Sequence, residues 1–196
     1  LLSLINDMLD LAKIESGKFE LNRERVICQG VIDNVMQTLG PSGQQKGLVL
    51  DVDMPAQAIN VIADQRALTQ ILLNLVNNAI KFTEAGRVDV RLARRVVDGS
   101  EQVHISVCDT GIGIRAEDRG KLFQTFTQVD ATLARPFEGT GLGLYLSQKL
   151  AHLMAGEISC DSEYGKGSCF TLVLHGAPLQ CLRDQRADAS IPLPGR

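Results

Sequence analysis

The chain has 196 residues, 44% of them hydrophobic, and a net charge of −3. That is enough for one domain of ordinary size plus appendages. The acidic balance, the absence of tryptophan and the low aromatic content argue against nucleic acid as the main partner, which wants a basic face and aromatic stacking platforms.

Residues 1–16 read as a helix. Leu1, Leu4, Met8 and Leu11 form one apolar stripe, and Leu2, Ile5, Leu9 and Ala12 form a second beside it. A face this wide wants partner helices, as in a bundle. Gly17 ends the helix, and Phe19 to Val26 reads as extended. A second helix spans 27–40 through Val31, Ile32, Val35, Met36 and Leu39, and Gly40-Pro41-Ser42-Gly43 breaks it. Leu48 to Asp53 alternates as a half-buried strand does. Asp64 is placed to cap a long helix that runs to Phe82. Two strands follow, 87–97 and 102–108, joined by an Asp98-Gly99 hairpin turn. Residues 110–138 are polar and irregular, with a short helical stretch near Glu117 to Phe126. Gly139 opens a helix to about Ala155, and 157–162 and 168–175 close as a hairpin. Pro178, Pro192 and Pro194 among several charges make 177–196 a linker or disordered tail. The fold class expected is α+β: a mixed, largely antiparallel sheet with helices on one face.

The five cysteines include no CxxC pair and sit largely in strand-like or apolar runs, which reads as reduced, buried thiols. His104, His152 and His175 lack metal-ligand spacing and read as ordinary core or surface residues. No apolar run approaches the roughly 18–20 residues of a membrane span. The opening mid-helix, without a starting methionine, reads as a fragment of a longer parent.

Four segments carry chemistry. In the long helix, Asn74, Asn78 and Lys81 stand at i, i+4 and i+7 and share one polar stripe, opposite Leu68, Leu72, Leu75 and Ala79. Asn disfavours helix interiors, so Asn74, Asn77 and Asn78 within five residues need a reason. An Asn carbonyl is a hard oxygen ligand for Mg²⁺, whose other oxygens come from waters and substrate phosphates, and Lys81 is then placed for a phosphate. Asp109-Thr110-Gly111-Ile112-Gly113 follows an apolar strand, where a carboxylate can accept from an exocyclic amine and glycines admit a close ligand. Gly139-Thr140-Gly141-Leu142-Gly143 opens a helix and presents bare N–H groups to an anion. Gly165-Lys166-Gly167-Ser168 joins the closing strands, where a hairpin turn explains it fully and a functional reading depends on the other three segments. Neither a dinucleotide fingerprint after a buried strand nor a P-loop is present.

In this order and spacing, these segments resemble the N, G1, F, G2 and G3 boxes of the histidine-kinase catalytic domain, within the Bergerat-type ATPase superfamily shared with gyrase, the Hsp90 chaperones and MutL. The F box is Lys121-Leu-Phe123-Gln-Thr-Phe126, and Leu4 to Lys18 resembles the end of the second dimerisation helix and its hinge. The resemblance covers about residues 1–175 and implies three parts: 1–17 from a dimerisation helix, 18–176 a catalytic ATP-binding domain, and 177–196 a linker. It implies Mg-ATP as ligand, with Asn78 the Mg²⁺ ligand, Asn74 and Lys81 on the phosphate side, and Phe82 near base or ribose. Asp109 reads adenine with Gly111 and Gly113 beside it. Gly139, Thr140, Gly141, Leu142 and Gly143 form the phosphate-facing loop, and Ser168 is a further cofactor-binding residue. Residues 127–138 match a lid in which Arg135 reaches the γ-phosphate.

The implied function is phosphoryl donation to a histidine in a two-component sensor kinase whose parent is a homodimer, membrane-anchored with this part in the cytoplasm. Its partners are then its own dimerisation domain and a response-regulator receiver domain, which in a hybrid kinase follows in the same chain. Two departures stand out. No histidine here has the acceptor motif's neighbours, and Glu138 occupies a position where many relatives carry Gly. Two other readings compete: a kinase-like module that regulates by pairing with another kinase, and a gyrase-type hydrolytic ATPase, against which Asn74 speaks.

Overall fold

The computed structural model describes residues 2–124 and 141–175. Phe126, Arg135, Glu138, Gly139, Thr140, the rest of the 127–138 segment and the 177–196 tail lie outside the described residues.

Helix α1 spans Leu2–Glu15. Strand β1 (Glu24–Ile27) leads directly into α2 (Cys28–Gln45). Strands β2 (Val49–Asp53) and β3 (Asn60–Ala63) precede the long helix α3 (Gln65–Phe82). The hairpin β4 (Arg87–Val97) and β5 (Ser100–Asp109) turns at Asp98 and Gly99, whose φ angles are 50° and 76°. Short α4 (Ala116–Arg119), then α5 (Gly143–Leu153), β6 (Glu157–Glu163) and β7 (Gly167–His175) are the remaining elements among the described residues.

The main sheet has the order β2-β4-β5-β7-β6, parallel between β2 and β4 and antiparallel elsewhere. β1 and β3 form a separate antiparallel pair. Along β4, β5 and β7 the buried residues alternate: Val88, Val90 and Leu92; Val103, Ile105 and Val107; Phe170, Leu172 and Leu174. They meet the apolar faces of α2, α3 and α5 in one core, so the helices lie on one side of the sheet as expected. In α3, Leu68, Ile71, Leu72, Leu75 and Val76 are all 1% exposed or less. Each such side chain contributes about 1.5–3 kcal/mol by leaving water, which holds the polar stripe of the same helix in a fixed orientation.

The cap of α3 is as the sequence predicts, and it also ties the fold together. Asp64 accepts from the Ala67 N–H at 3.0 Å and from the Asn22 N–H at 2.9 Å. Burial opposes ionisation of this carboxyl, but the N–H donors outweigh it and hold its pKa below the usual value.

Several elements depart from the sequence expectations. Helix α2 runs through Gly40-Pro41-Ser42-Gly43 to Gln45 instead of breaking there. A proline inside a helix costs about 3 kcal/mol, but Gly40 and Gly43 are buried, and a Cβ on Gly43 would stand only 2.8 Å from Leu50 Cδ1. Close packing of this turn on β2 outweighs the local breaker. Of the stretch 19–26 read as extended, only Glu24 to Val26 belong to a strand, β1, and β3 was not expected at all. Four residues are too short for a clear alternation, and β3 takes its identity from pairing with β1. The cysteines need the largest correction. Cys28 is buried and free, but Cys108 and Cys169 are joined as a disulfide between register partners of β5 and β7. Their separation of 61 residues hides this in the sequence.

On α1, Ile5, Met8 and Leu9 are 46%, 44% and 54% exposed, while Ile14 packs on the core. One amphipathic helix cannot complete a bundle. The isolated chain is therefore expected to self-associate weakly through this stripe, with a sedimentation coefficient that rises with concentration. A tight dimer at all concentrations would contradict this.

Candidate functional site

The site is built where three elements meet the C-terminal half of α3. Core packing of the opposite face turns Asn74, Asn78 and Lys81 outward as one row. Asn78 Nδ2 donates to Asn74 Oδ1 at 3.4 Å, so the two amides share the predicted stripe. Asn74 Nδ2 in turn donates to Ser147 Oγ of α5 at 3.0 Å. Gly143, the first residue of α5, lies directly against Asn74, and a Cβ there would run into the Asn74 amide oxygen. The glycine lets the N-terminus of α5 close on the polar row. Lys81 Nζ stands 4.9 Å from the Phe82 ring centroid.

The second wall is the loop after β5. Asp109 is the last residue of that strand and is half-buried. Its Oδ1 accepts from the Gly111 N–H at 2.8 Å and the Ser168 N–H at 3.4 Å. Burial pushes its pKa up, and the two N–H donors pull partly against that. The loop is fastened on both sides. The Ile112 N–H donates to the Phe82 carbonyl at 3.2 Å, and the Gly165 N–H donates to the Ile112 carbonyl at 2.7 Å. The end of α3, the Asp109 loop and the β6–β7 turn are thereby one connected wall.

Gly113 shows why that wall demands glycine. Its φ is +66°, and a Cβ would collide with the Glu163 carbonyl oxygen. Left-handed backbone costs a non-glycine residue about 1–3 kcal/mol before any clash is counted. Gly113→Ala is expected to lower stability by about 2 kcal/mol or more on that basis. Urea unfolding would measure it, and an unchanged midpoint would mean the turn relaxes freely.

Residues 63–178 match the family model described as "Histidine kinase-, DNA gyrase B-, and HSP90-like ATPase". This chain belongs to that family. Within the family it is similar to histidine kinases. The signal transduction histidine-protein kinase BarA of Escherichia coli (strain K12) is 39% identical over 198 residues, covering 95% of this chain and 22% of BarA. The sensor histidine kinase GacS of Pseudomonas protegens is 39% identical over 199 residues, covering 100% of this chain and 21% of GacS. The chain thus spans about a fifth of the length of these curated relatives. Among solved structures, full-length ShkA in complex with AMPPNP superposes with a TM-score of 0.77 at 32% identity, over 90% of this chain and 36% of that one. The Acinetobacter baumannii histidine kinase AdeS superposes with a TM-score of 0.70 at 25% identity, over 89% and 77%.

In this ATPase-family domain the structure brings Asn74, Asn78, Lys81, Phe82 and Gly143 together, and it gathers Asp109, Gly111, Gly113 and Ser168 along the adjoining wall. Gly141 sits just before α5 with φ +67°. Leu142 is 1% exposed, and its carbonyl accepts from the Leu146 N–H, so its side chain serves packing. Gly139, Thr140 and Arg135 fall outside the described residues.

Sequence reasoning missed three positioning residues. Ser147, 2% exposed, orients the Asn74 amide. Ser162 accepts from the Ile114 N–H at 2.8 Å and lies 2.9 Å from Ser168 Oγ, bracing the wall from behind. Lys46 donates to the Ile80 and Lys81 carbonyls at 2.7 and 2.8 Å, placing a cation at the C-terminal end of α3. Only Ser162 left a trace, as a polar residue at a buried strand position.

Among the described residues, no helix is long and apolar enough to cross a membrane.

Proposed function

We propose that this chain binds Mg-ATP between the polar row of α3 and the Asp109 wall and donates the γ-phosphoryl group to a histidine outside it. The observation that carries the reading is the Asp109 carboxylate. Two backbone N–H groups hold Oδ1 at the end of β5, which leaves Oδ2 to accept from the adenine amine.

The roles are those that the family resemblance implies, and the geometry supports them. Asn78 gives its Nδ2 proton to Asn74, while its Oδ1 accepts no hydrogen bond among the described residues and is a hard ligand suited to Mg²⁺. Asn78 would hold the ion, with phosphate oxygens and waters completing its shell. When bound, the ion neutralises phosphate charge and helps to align the group to be transferred. Asn74 and Lys81 face the phosphate side, Phe82 flanks base or ribose, and Gly141 and Gly143 present the N-terminus of α5 to anionic oxygens. Gly139, Thr140 and Arg135 complete the phosphate loop and lid in this reading. Phosphoryl transfer needs positioning and charge neutralisation more than covalent chemistry, and these residues supply both.

On this reading residues 1–17 end a dimerisation helix, 18–176 form the catalytic domain and 177–196 are a linker. The parent is a membrane-anchored homodimeric sensor with this domain in the cytoplasm, and a receiver domain is the downstream partner.

The test is to mix the chain with labelled ATP and a separate dimerisation domain that carries an acceptor histidine. Acid-labile label is expected on the added domain and not on the chain alone. Label on His104, His152 or His175 of this chain, or none on the added domain, would overturn the reading.

A further inference from the structure

The helices cover one face of the main sheet and leave the other open among the described residues. Across that face one rung reads Asp89, Cys108, Cys169, Asp161 over four adjacent strands. Cys108 and Cys169 are directly opposite, bonded and only half-buried, in an open hollow lined also by Ser106, Thr171 and Asp161. The next rung is Asp109 opposite Ser168, the pair that builds the Asp109 wall. We propose that Cys108 and Cys169 are a reversible dithiol–disulfide site that exchanges with low-molecular-weight thiols and disulfides and sets the affinity of the adjoining nucleotide site.

Three observations support it. The ladder between β5 and β7 is paired from Gln102–His175 to Asp109–Ser168 and backed by core residues, so contacts other than the bridge also hold the two strands together. The other described thiols are poor competitors. Burial pushes Cys28 up to about 12 and Cys160 up to about 11, which suppresses their thiolates. The bridge also lies one residue from the point where β5 ends. A covalent tie there restrains the two strands at the rung that orients Asp109, and restraint in the bound geometry favours binding.

The chemistry balances without a further reagent. The Cys108 thiolate attacks one sulfur of a small disulfide, the S–S bond breaks, and one thiolate leaves and takes up a proton. The Cys169 thiolate then attacks Cys108 Sγ of the mixed disulfide and expels the second thiolate. The protein loses two electrons and two thiol protons, and the small disulfide becomes two thiols. A dithiol reductant reverses both steps.

The coupling rests on Asp109 as the adenine acceptor, so the experiment reads bridge and binding separately. The purified chain is equilibrated in glutathione buffers from reducing to oxidising, then alkylated and mapped by mass spectrometry. ATP binding is titrated in parallel on the parent and on Cys169→Ser. The expected result is a reversible Cys108–Cys169 linkage, with ATP bound roughly three- to tenfold more tightly when it is formed, an effect of preorganisation. In reducing buffers Cys169→Ser is expected to bind like the reduced parent, and in oxidising buffers to stop at the Cys108 mixed disulfide without the gain in ATP affinity. No linkage at any buffer ratio, or equal affinity in both states, would refute the proposal. Loss of ATP binding in both states would instead fail the nucleotide-site reading, and the coupling with it.

Discussion

Asp109→Asn is expected to weaken ATP binding by about ten- to hundredfold and to erase the preference for adenine over guanine. The carboxylate uses Oδ1 on the Gly111 and Ser168 N–H groups. An amide in its place can keep that oxygen role but turns the other position into an N–H donor, which faces the donor amine of adenine. A hydrogen bond to a charged partner is worth about 1.5–3 kcal/mol, and each 1.4 kcal/mol is about tenfold in affinity. Guanine presents a carbonyl where adenine has its amine, so the variant is expected to gain on GTP while it loses ATP. Calorimetry with both nucleotides measures this. Equal affinity of the parent for ATP and GTP would remove the role given to Asp109.

The same residue predicts a pH limb. Burial raises the Asp109 pKa. As pH falls through that raised value, the carboxyl gains a proton and stops acting as a pure acceptor. ATP affinity should therefore decline on the acid side sooner than an ordinary carboxylate would dictate, and be fully present above it. The Asp109→Asn variant should lack that limb.

Asn74→Glu is the second large effect. Asn74 lies one helical turn before Asn78, hydrogen-bonded to it and to Ser147, beside the N-terminus of α5. An amide orients water but has no basic lone pair near neutral pH, so the parent should hold ATP largely intact until a histidine arrives. A carboxylate there can still accept from Asn78 Nδ2 and Ser147 Oγ while offering a base to water. General-base catalysis contributes about 10²–10⁴-fold, so the variant should raise steady-state phosphate release by about tenfold or more, short of that range because the carboxylate is not positioned by design. Phosphate release by the parent at ~10 per second, an ordinary enzyme turnover, would favour a hydrolytic ATPase over a kinase.

What the chain's order alone determined was local and periodic. The helical period put Asn74, Asn78 and Lys81 on one face because the opposite face is apolar without interruption. Asp64 announced its helix, Asp98-Gly99 its turn, and Asp109 stood out as a carboxylate ending an apolar strand. Each of these depends on residues within a few positions.

The tertiary structure decided what depends on register between distant segments. It paired β3 with β1, carried α2 through Pro41 by packing on Leu50, and placed Lys46 at the end of α3. It set Ser147 on Asn74 across 73 residues and Cys108 opposite Cys169 across 61. No local spacing encodes such contacts, because they exist only once the core has fixed which strands are neighbours and in what register.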